Sequence, residues 1–164
     1  MKTLLLIRHA KSSWESSVTL DFERPLNERG KNDAPKMAER LLDKKISIDA
    51  FVSSPAKRAQ KTAEIFMKKY GSAHEKLTLI PSLYEASVDD FYRAVEQLPD
   101  EDSSIALFAH NPGITDFINS LDCSPVYNMP TCAIYAFKIK TKHWKEIRTA
   151  DKEFLFFDYP KNKD

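Results

Sequence analysis

The chain has 164 residues, 42% of them hydrophobic, which is enough for a single domain with a sizeable core. Lys and Arg number 25 and Asp and Glu 24, so the net charge of +1 provides no long-range field that would favour nucleic acid or an anionic membrane. No apolar segment is long enough for a membrane span or a signal peptide, and two cysteines without CxxC spacing argue against a disulfide framework or a zinc site. We therefore expect a soluble, cytoplasmic protein with one domain at residues 1–160, a disordered tail at 161–164, and no nucleic-acid or membrane partner.

The first predicted element is a buried parallel strand at residues 4–7, an uninterrupted run of Leu and Ile. The run ends in Arg8, His9, Ala10 and Lys11, and the carboxyl ends of strands in open α/β sheets are where ligands bind. A lone Arg-His pair is also typical of a strand that simply reaches solvent. Two later strands that end in the same way favour a functional site at this edge of the sheet.

Residues 12–24 are polar and are predicted to form a loop across the site, where the Ser12 hydroxyl could donate to a bound anion. Serines are equally common in any loop, and Trp14 in this loop could serve only to cover the edge of the sheet. Asn27 is predicted to cap the first helix. Pro35 fits poorly inside that helix, which predicts a later start or a kink. The apolar face of the helix comprises Ala34, Met37, Ala38, Leu41 and Leu42.

A second short strand is predicted at residues 48–52, followed by Ser54 as a helix cap and Pro55 in the first helical turn. This arrangement places Arg58 in the first turn, beside backbone N–H groups that attract anions. An arginine there opposes the helix dipole, which suggests that a ligand holds it. A solvated basic face shared with Lys57 and Lys61 explains the same pattern equally well.

A third strand is predicted at residues 76–80, and Glu85 follows it in a loop. Glu85 could serve there as a proton donor, or it could cap the next helix, whose apolar residues Phe91, Val95 and Leu98 recur at helical spacing. A further buried strand at residues 104–109 ends in His110. A histidine packed in the core is the ordinary alternative, but the Pro-Gly turn after Asn111 is an awkward place to bury one. A helix then follows, with Ile114, Phe117, Ile118 and Leu121 on its apolar face.

The C-terminal part predicts an antiparallel hairpin, with strands at residues 133–140 and 144–149 around a turn at 141–143. The apolar residues 154–157 are expected to pack back on the domain or to meet a partner. His74 and His143 lie in polar connecting stretches, and we assign them no role.

Arg8, His9, Arg58 and His110 together form a cradle for a doubly charged tetrahedral anion, which is to say a phosphoryl group. The chain has three glycines and none in the spacing of a nucleotide-binding loop, and its carboxylates form no metal-ligand pattern. We therefore expect a site without metal or cofactor. In such a cradle a neutral histidine is a competent nucleophile, because the neighbouring arginine cations lower its pKa.

Four segments also carry a resemblance to a known family: RHAKSSW at 8–14, SSPAKRAQKTA at 53–63, LYEAS at 83–87 and HNPG at 110–113. In this order they resemble the histidine phosphatase (phosphoglycerate mutase-like) superfamily, and the RHAKSSW variant resembles its small SixA-type phosphohistidine phosphatases. The chain departs from the commonest pattern at Ala10, where glycine is usual. Glu15 stands where the mutases have asparagine, which weakens the case for a mutase.

The resemblance implies a three-layer αβα sandwich with a mostly parallel central sheet, to which the predicted C-terminal hairpin is added. It also implies a phosphohistidine intermediate on His9, a phosphate pocket, and a less secure acid/base role for Glu85. The catalytic candidates are Arg8, His9, Arg58, Glu85 and His110, and the substrate-binding candidates are Lys11, Ser12 and Asn111.

Between Glu85 and His110 there is room for only one helix, and no long insertion elsewhere could form a lid. An open site favours a phosphorylated side chain on a protein over a small metabolite that must be enclosed, so the expected partner is a histidine-phosphorylated protein domain. Two alternatives remain: a phosphatase of a small phosphorylated metabolite, and a non-catalytic phosphate-binding module. The complete nucleophile and pocket argue against the second alternative.

Overall fold

The computed structural model describes residues 1–14 and 20–162, which form six strands and four helices. The strands are β1 (Lys2–Arg8), β2 (Ala50–Ser53), β3 (Leu77–Leu79), β4 (Ser104–Ala109), β5 (Ile134–Ile139) and β6 (Lys152–Asp158). The helices are α1 (Glu28–Asp43), α2 (Lys57–Tyr70), α3 (Val88–Glu96) and α4 (Gly113–Asn119). Glu15 and the last two residues of the predicted tail lie outside the described residues. Within these, no helix is both long and apolar enough to cross a membrane.

The strands form one sheet in the order β3-β2-β4-β1-β5-β6. Strands β1 to β4 pair in parallel, whereas β5 pairs antiparallel with both β1 and β6. Side chains alternate along β1, so Leu4 and Leu6 face the core under α3 and α4, while Leu5 and Ile7 face the core under α1 and α2. The predicted three-layer sandwich, with a mostly parallel sheet and an antiparallel C-terminal hairpin, is confirmed.

The second strand of the hairpin is not where we expected it. Residues 152–158 form that strand and include the apolar run at 154–157, whereas Trp144–Glu146 is a 3-10 turn. Trp144 is fully buried, and its indole N–H donates to the carbonyls of Pro99 and Asp102. These bonds hold the segment against the connection between α3 and β4, so it cannot extend beside β5.

Helix α1 begins at Glu28, with the Asn27 side chain accepting a hydrogen bond from the Gly30 N–H at 2.9 Å, as its sequence predicts. The expected late start caused by Pro35 is wrong, since Pro35 lies inside the helix. Gly30 is required there because a Cβ atom would collide with the main-chain carbonyl of Lys11. The start of α1 is thereby fixed against the segment that follows β1.

The predicted start of α2 also needs correction, because Ala56 is the N-cap and the helix begins at Lys57. The Ser54 hydroxyl accepts a hydrogen bond from the Ala56 N–H and contacts a ring nitrogen of His110. Ser54 therefore links two strand ends instead of capping the helix, and Pro55 lies before the first turn. Arg58 does lie in that turn.

The described part of the predicted tail is tied to the domain. The Asn162 N–H donates to the Tyr159 carbonyl at 3.0 Å, and its side-chain amide donates to the Asp158 carboxylate at 3.0 Å.

Candidate active site

The carboxyl ends of the neighbouring strands β1, β4 and β2 bring the candidate residues together. Arg8 is in register with Ala109, so His9 and His110 leave the sheet side by side with ring centroids 5.2 Å apart. Arg58 comes from α2, which follows β2 on the other side of β4. The topology thus joins residues that are more than a hundred positions apart in sequence.

The tautomer of His9 is determined by a hydrogen bond to its own neighbour. Its Nδ1 lies 2.7 Å from the Ala10 carbonyl oxygen, which can only accept, so Nδ1 carries the proton and Nε2 keeps a lone pair. Burial lowers the pKa of His9 to about 3, with the nearby His110, Arg58 and Arg8 acting in the same direction and the Ala10 carbonyl opposing them. His9 is therefore a neutral imidazole across the physiological range.

His110 is held by the Ser54 hydroxyl, which lies 2.8 Å from its Nε2. Burial, followed by the positive charge of Arg58, lowers the pKa of His110 to about 3, although the Asp21 carboxylate opposes the shift. The Tyr84 ring packs edge-on against His110 at a centroid distance of 5.7 Å. His110 is thus a second neutral imidazole with a fixed ring plane.

Both arginines are anchored by their terminal nitrogens. Arg8 donates to the Met129 carbonyl at 2.9 Å, and Arg58 donates to the Asp21 carbonyl at 2.7 Å and to the Asp21 carboxylate at 3.1 Å. In the part of the chain that the structure describes, three buried side-chain nitrogens or oxygens lack a hydrogen-bond partner: Nε of Arg8, Nε of Arg58 and Nδ1 of His110. Buried polar atoms are normally satisfied. Their concentration at one site indicates unused capacity to bind an anion.

A threonine on α2 connects the two sides of the site. The Thr62 hydroxyl accepts from the Ala10 N–H at 3.0 Å and donates to the Arg58 carbonyl at 2.7 Å. Thr62 is fully buried. The backbone next to His9 is therefore fixed relative to the helical turn that carries Arg58.

Sequence reasoning missed the roles of Asp21 and Tyr84. The Asp21 carboxylate accepts hydrogen bonds from the Tyr84 hydroxyl at 2.6 Å, Arg24 at 3.0 Å and Arg58 at 3.1 Å. These bonds, that of Tyr84 foremost, lower the pKa of Asp21 to about 2. Asp21 begins a 3-10 helix (Asp21–Glu23) inside the segment predicted as a loop, and an aspartate there carries no sequence signal for such a role. Tyr84 lies in the quoted LYEAS segment, which was the one available clue.

A cavity of about 360 Å³ opens beside these groups, with Asp21, Arg58, Tyr84, Glu85, His110 and Asn111 among its lining residues. Glu85 is exposed in its wall, in a left-handed backbone conformation with φ of 55°. The alternative in which Glu85 caps α3 is wrong, because Ser87 and Asp90 form that cap. Arg8 and His9 do not line this cavity.

The three substrate-binding candidates lie in different surroundings. The Asn111 amide lines the cavity but donates to Met129 and Asn128, so it braces the loop. Ser12 is buried, and its hydroxyl accepts from Arg24 at 2.5 Å. The Lys11 carbonyl accepts from the Asn27 N–H. Neither Lys11 nor Ser12 lines the cavity.

Two solved structures share the fold of this chain. One is an Agrobacterium tumefaciens protein proposed to be the phosphohistidine phosphatase SixA, with a TM-score of 0.81 and 22% identity over 97% of this chain and 98% of that one. The other is the protein histidine phosphatase SixA complexed with tungstate, with a TM-score of 0.81 and 20% identity over 96% of this chain and 97% of that one.

Sequence relatives extend the comparison. The Arabidopsis thaliana chloroplastic protein At3g52155 is 27% identical over 154 residues, which are 88% of this chain and 70% of the relative. A 2,3-bisphosphoglycerate-dependent phosphoglycerate mutase from Bartonella henselae is 30% identical over 54% of this chain and 44% of the mutase. The model of the histidine phosphatase superfamily (branch 1) matches residues 4–113, a span that contains Arg8, His9, Arg58 and His110. This chain belongs to the histidine phosphatase superfamily, branch 1.

Proposed function

We propose that the protein is a metal-independent phosphatase that hydrolyses phosphohistidine on a protein, through a phosphohistidine intermediate on His9. The observation that carries the proposal is the state of His9: a buried neutral imidazole whose Nδ1 is bonded to the Ala10 carbonyl, so that Nε2 has a free lone pair. A neutral, oriented imidazole beside Arg8 and Arg58 is what attack on a phosphoryl group requires.

In the first half-reaction, Nε2 of His9 attacks phosphorus in line with the bond to the leaving nitrogen. The new P–N bond forms on His9 as the old P–N bond breaks, and the leaving imidazole takes the electron pair. The unpartnered Nε atoms of Arg8 and Arg58 and Nδ1 of His110 are the donors proposed for the phosphoryl oxygens. A phosphohistidine ring can arrive protonated, so its departure needs no strong acid.

In the second half-reaction, water attacks the phosphorus of phospho-His9 as the bond between phosphorus and Nε2 breaks. Nε2 takes the electron pair, so His9 returns to a neutral imidazole and inorganic phosphate is released. Glu85 is the proposed base for that water, and it also serves as the proton donor when a leaving group needs one. Its exposed position in the cavity wall is suited to proton exchange with solvent.

An open cavity supports a protein substrate. The chain between Glu85 and His110 contains only α3, β4 and short connections, so this stretch provides no lid over the cavity. The two SixA structures with this fold support the same assignment, and the tungstate in one of them is a tetrahedral oxyanion like phosphate.

A phosphatase of a small phosphorylated metabolite is the second candidate. A cavity of about 360 Å³ falls within the usual size of small-ligand pockets, and one sequence relative is a phosphoglycerate mutase. A non-catalytic phosphate-binding module is less well supported, since binding alone does not require an oriented nucleophile.

Phosphoryl trapping tests the proposal. Wild type, His9→Ala and the control His74→Ala, which alters an exposed histidine, are incubated with radiolabelled phosphohistidine protein with and without a metal chelator. We expect acid-labile label on the enzyme and released phosphate in wild type and in the control, both surviving chelation and both absent in His9→Ala. Turnover of a small phosphomonoester, with no activity on any phosphohistidine protein, would contradict the proposal and support the second candidate.

A further inference from the structure

Three large apolar side chains are exposed beside the cavity: Trp14 is 73% exposed, Leu20 74% and Phe22 36%. We call these three residues the apolar rim. They lie on the segment between β1 and α1. Large apolar side chains that cluster on a surface, next to a site, mark an interaction surface more often than isolated ones do.

The two aromatic residues of the apolar rim are connected to the cavity lining through Tyr84 and Arg24. The Arg24 guanidinium lies 3.4 Å from the centre of the Trp14 ring, and the same arginine donates to Asp21, which lines the cavity. The Phe22 ring packs edge-on against Tyr84, also in the lining, at a centroid distance of 5.2 Å. Phe22 is therefore separated from the cavity by one side chain, that of Tyr84, and Trp14 by two, those of Arg24 and Asp21.

The size of the rim decides what kind of molecule can use it. Trp14 is 73% exposed and Leu20 74%, so most of each side chain can still be covered by a partner. Neither residue lines the cavity, so a small phosphorylated metabolite inside the cavity would not cover them. A protein segment that places a phosphoryl group against His9, next to the cavity, would reach the rim with the residues on either side. The half-buried Arg8 and the buried Arg58 supply the charge that complements the phosphoryl group.

Nucleic acid and anionic membrane fit the rim less well. The arginine at the rim, Arg24, is bonded to the Asp21 carboxylate and the Ser12 hydroxyl and is covered by the Trp14 ring. Its charge is thus neutralised by contacts within the protein. The exposed part of the rim is apolar, which suits apolar side chains of a protein.

We propose that the apolar rim is the docking surface for the protein substrate, and that it selects a phosphohistidine flanked by apolar side chains. This inference rests on the proposed function and adds the sequence context that the substrate must have. Trp14 and Phe22 would contribute through contact with the flanking residues, and neither would touch the reacting phosphoryl group.

Two synthetic phosphohistidine peptides of equal net charge test the inference, one with Leu and Val beside the phosphohistidine and the other with Ser and Asn. Free phosphohistidine is the third substrate. Wild type should prefer the apolar peptide by about 10-fold in kcat/KM, a typical effect of aromatic contacts at an interface. In the Trp14→Ala/Phe22→Ala variant this preference should fall to near one, while turnover of free phosphohistidine stays within about twofold.

Leu42→Ala is the matched control, because Leu42 is 37% exposed but lies in the last turn of α1, about 18 Å along the helix axis from Gly30 at its start. It should keep the full preference. Three outcomes would overturn the docking surface alone. The preference for the apolar peptide could be lost in Leu42→Ala, it could persist in the double variant, or it could be absent in a wild type that still hydrolyses free phosphohistidine. No turnover of any of the three substrates by wild type would overturn the proposed function and the docking surface together.

Discussion

The Asp21 carboxylate and the Arg58 guanidinium are joined by a charged hydrogen bond of 3.1 Å, and the Asp21 main-chain carbonyl accepts a second bond of 2.7 Å from the same guanidinium. Both terminal nitrogens of Arg58 are therefore engaged, while its Nε remains unpartnered. Asp21 orients the arginine, and its negative charge also repels any anion that enters the cavity.

Replacement of this carboxylate should tighten anion binding. In Asp21→Asn we expect inorganic phosphate to inhibit about fivefold more strongly, since about 1 kcal/mol of repulsion is removed. The measurement is the inhibition constant for phosphate at fixed ionic strength. Asp89→Asn, which alters an exposed ion pair with Arg93 and Arg148, should leave that constant unchanged. Unchanged or weaker inhibition of Asp21→Asn would contradict the role given to Asp21.

The two buried histidines should make stability depend on pH. Their pKa values are about 3 in the folded protein and 6.5 ordinarily, so between these limits the unfolded chain binds protons that the folded chain does not. The free energy of unfolding should therefore reach its maximum contribution from these histidines above pH 6.5. It should decrease as the pH falls toward 3, by up to about 1.4 kcal/mol per pH unit for each histidine.

Urea unfolding of wild type and His9→Asn at several pH values between about 4.5 and 7 checks this prediction. This range spans the ordinary pKa of histidine and stays above the pKa of both histidines in the folded protein. The unfolding free energy of His9→Asn should change less with pH than that of wild type, because one of the two buried histidines is gone. His74→Asn, which changes an exposed histidine, should keep the wild-type slope. Equal slopes for His9→Asn and wild type would refute it.

Gly113 should tolerate no side chain. A Cβ atom there would collide with the Ala86 carbonyl and lie 3.0 Å from the Phe91 ring, and both Ala86 and Gly113 line the cavity. Gly113→Ala should lower the free energy of unfolding by about 1–3 kcal/mol and reduce kcat/KM as well.

Gly71→Ala is the control for that experiment. Gly71 has φ of 66° and nothing within 4 Å of an added Cβ, so the substitution is strained but remote from the cavity. It should lower stability by about 1 kcal/mol with kcat/KM unchanged. A fully active Gly113→Ala variant would show that the cavity wall can move without consequence.

Thr62→Val should damage the site by removing a hydroxyl. The buried Ala10 N–H would lose its acceptor, at a cost of about 1–3 kcal/mol in unfolding free energy, and the backbone beside His9 would be less well fixed. We expect lower kcat in Thr62→Val and recovery in Thr62→Ser, which retains the hydroxyl. Steady-state kinetics and thermal unfolding of both variants measure the effect, and equal loss in Thr62→Ser would point to packing instead.

The parts of the fold that sequence predicts well are those where one signal dominates. The continuous apolar runs of β1 and β4 are typical of strands buried on both faces, and both strands are buried in this way. The cap of α1 is likewise predicted correctly, because it depends only on the side chain of Asn27. The segment at 144–149 alternates like a strand, yet the burial of Trp144 and its bonds to distant carbonyls outweigh that local pattern. The periodicity of a segment carries no information about its contacts with segments far away in the sequence.

The candidate site divides in the same way. Strand ends indicate Arg8, His9 and His110, since parallel topology brings such ends to one edge of the sheet. Asp21, Tyr84 and the Met129 carbonyl enter the site from segments that connect the strands and α-helices, and the positions of these segments depend on the completed fold.

Arg8 donates to the carbonyl of Met129, 121 positions later in the chain, and β1 pairs with both β4 and β5. Contacts of this sequence separation form late, because the entropy of closing a long loop must be overcome first. During synthesis the nascent chain would carry every proposed catalytic residue once it passes His110, yet Arg8 would have no anchor until the chain reaches Met129, just before β5. A fragment that stops at residue 113 should therefore be inactive and prone to aggregation, since it leaves the edge of β1 unpaired.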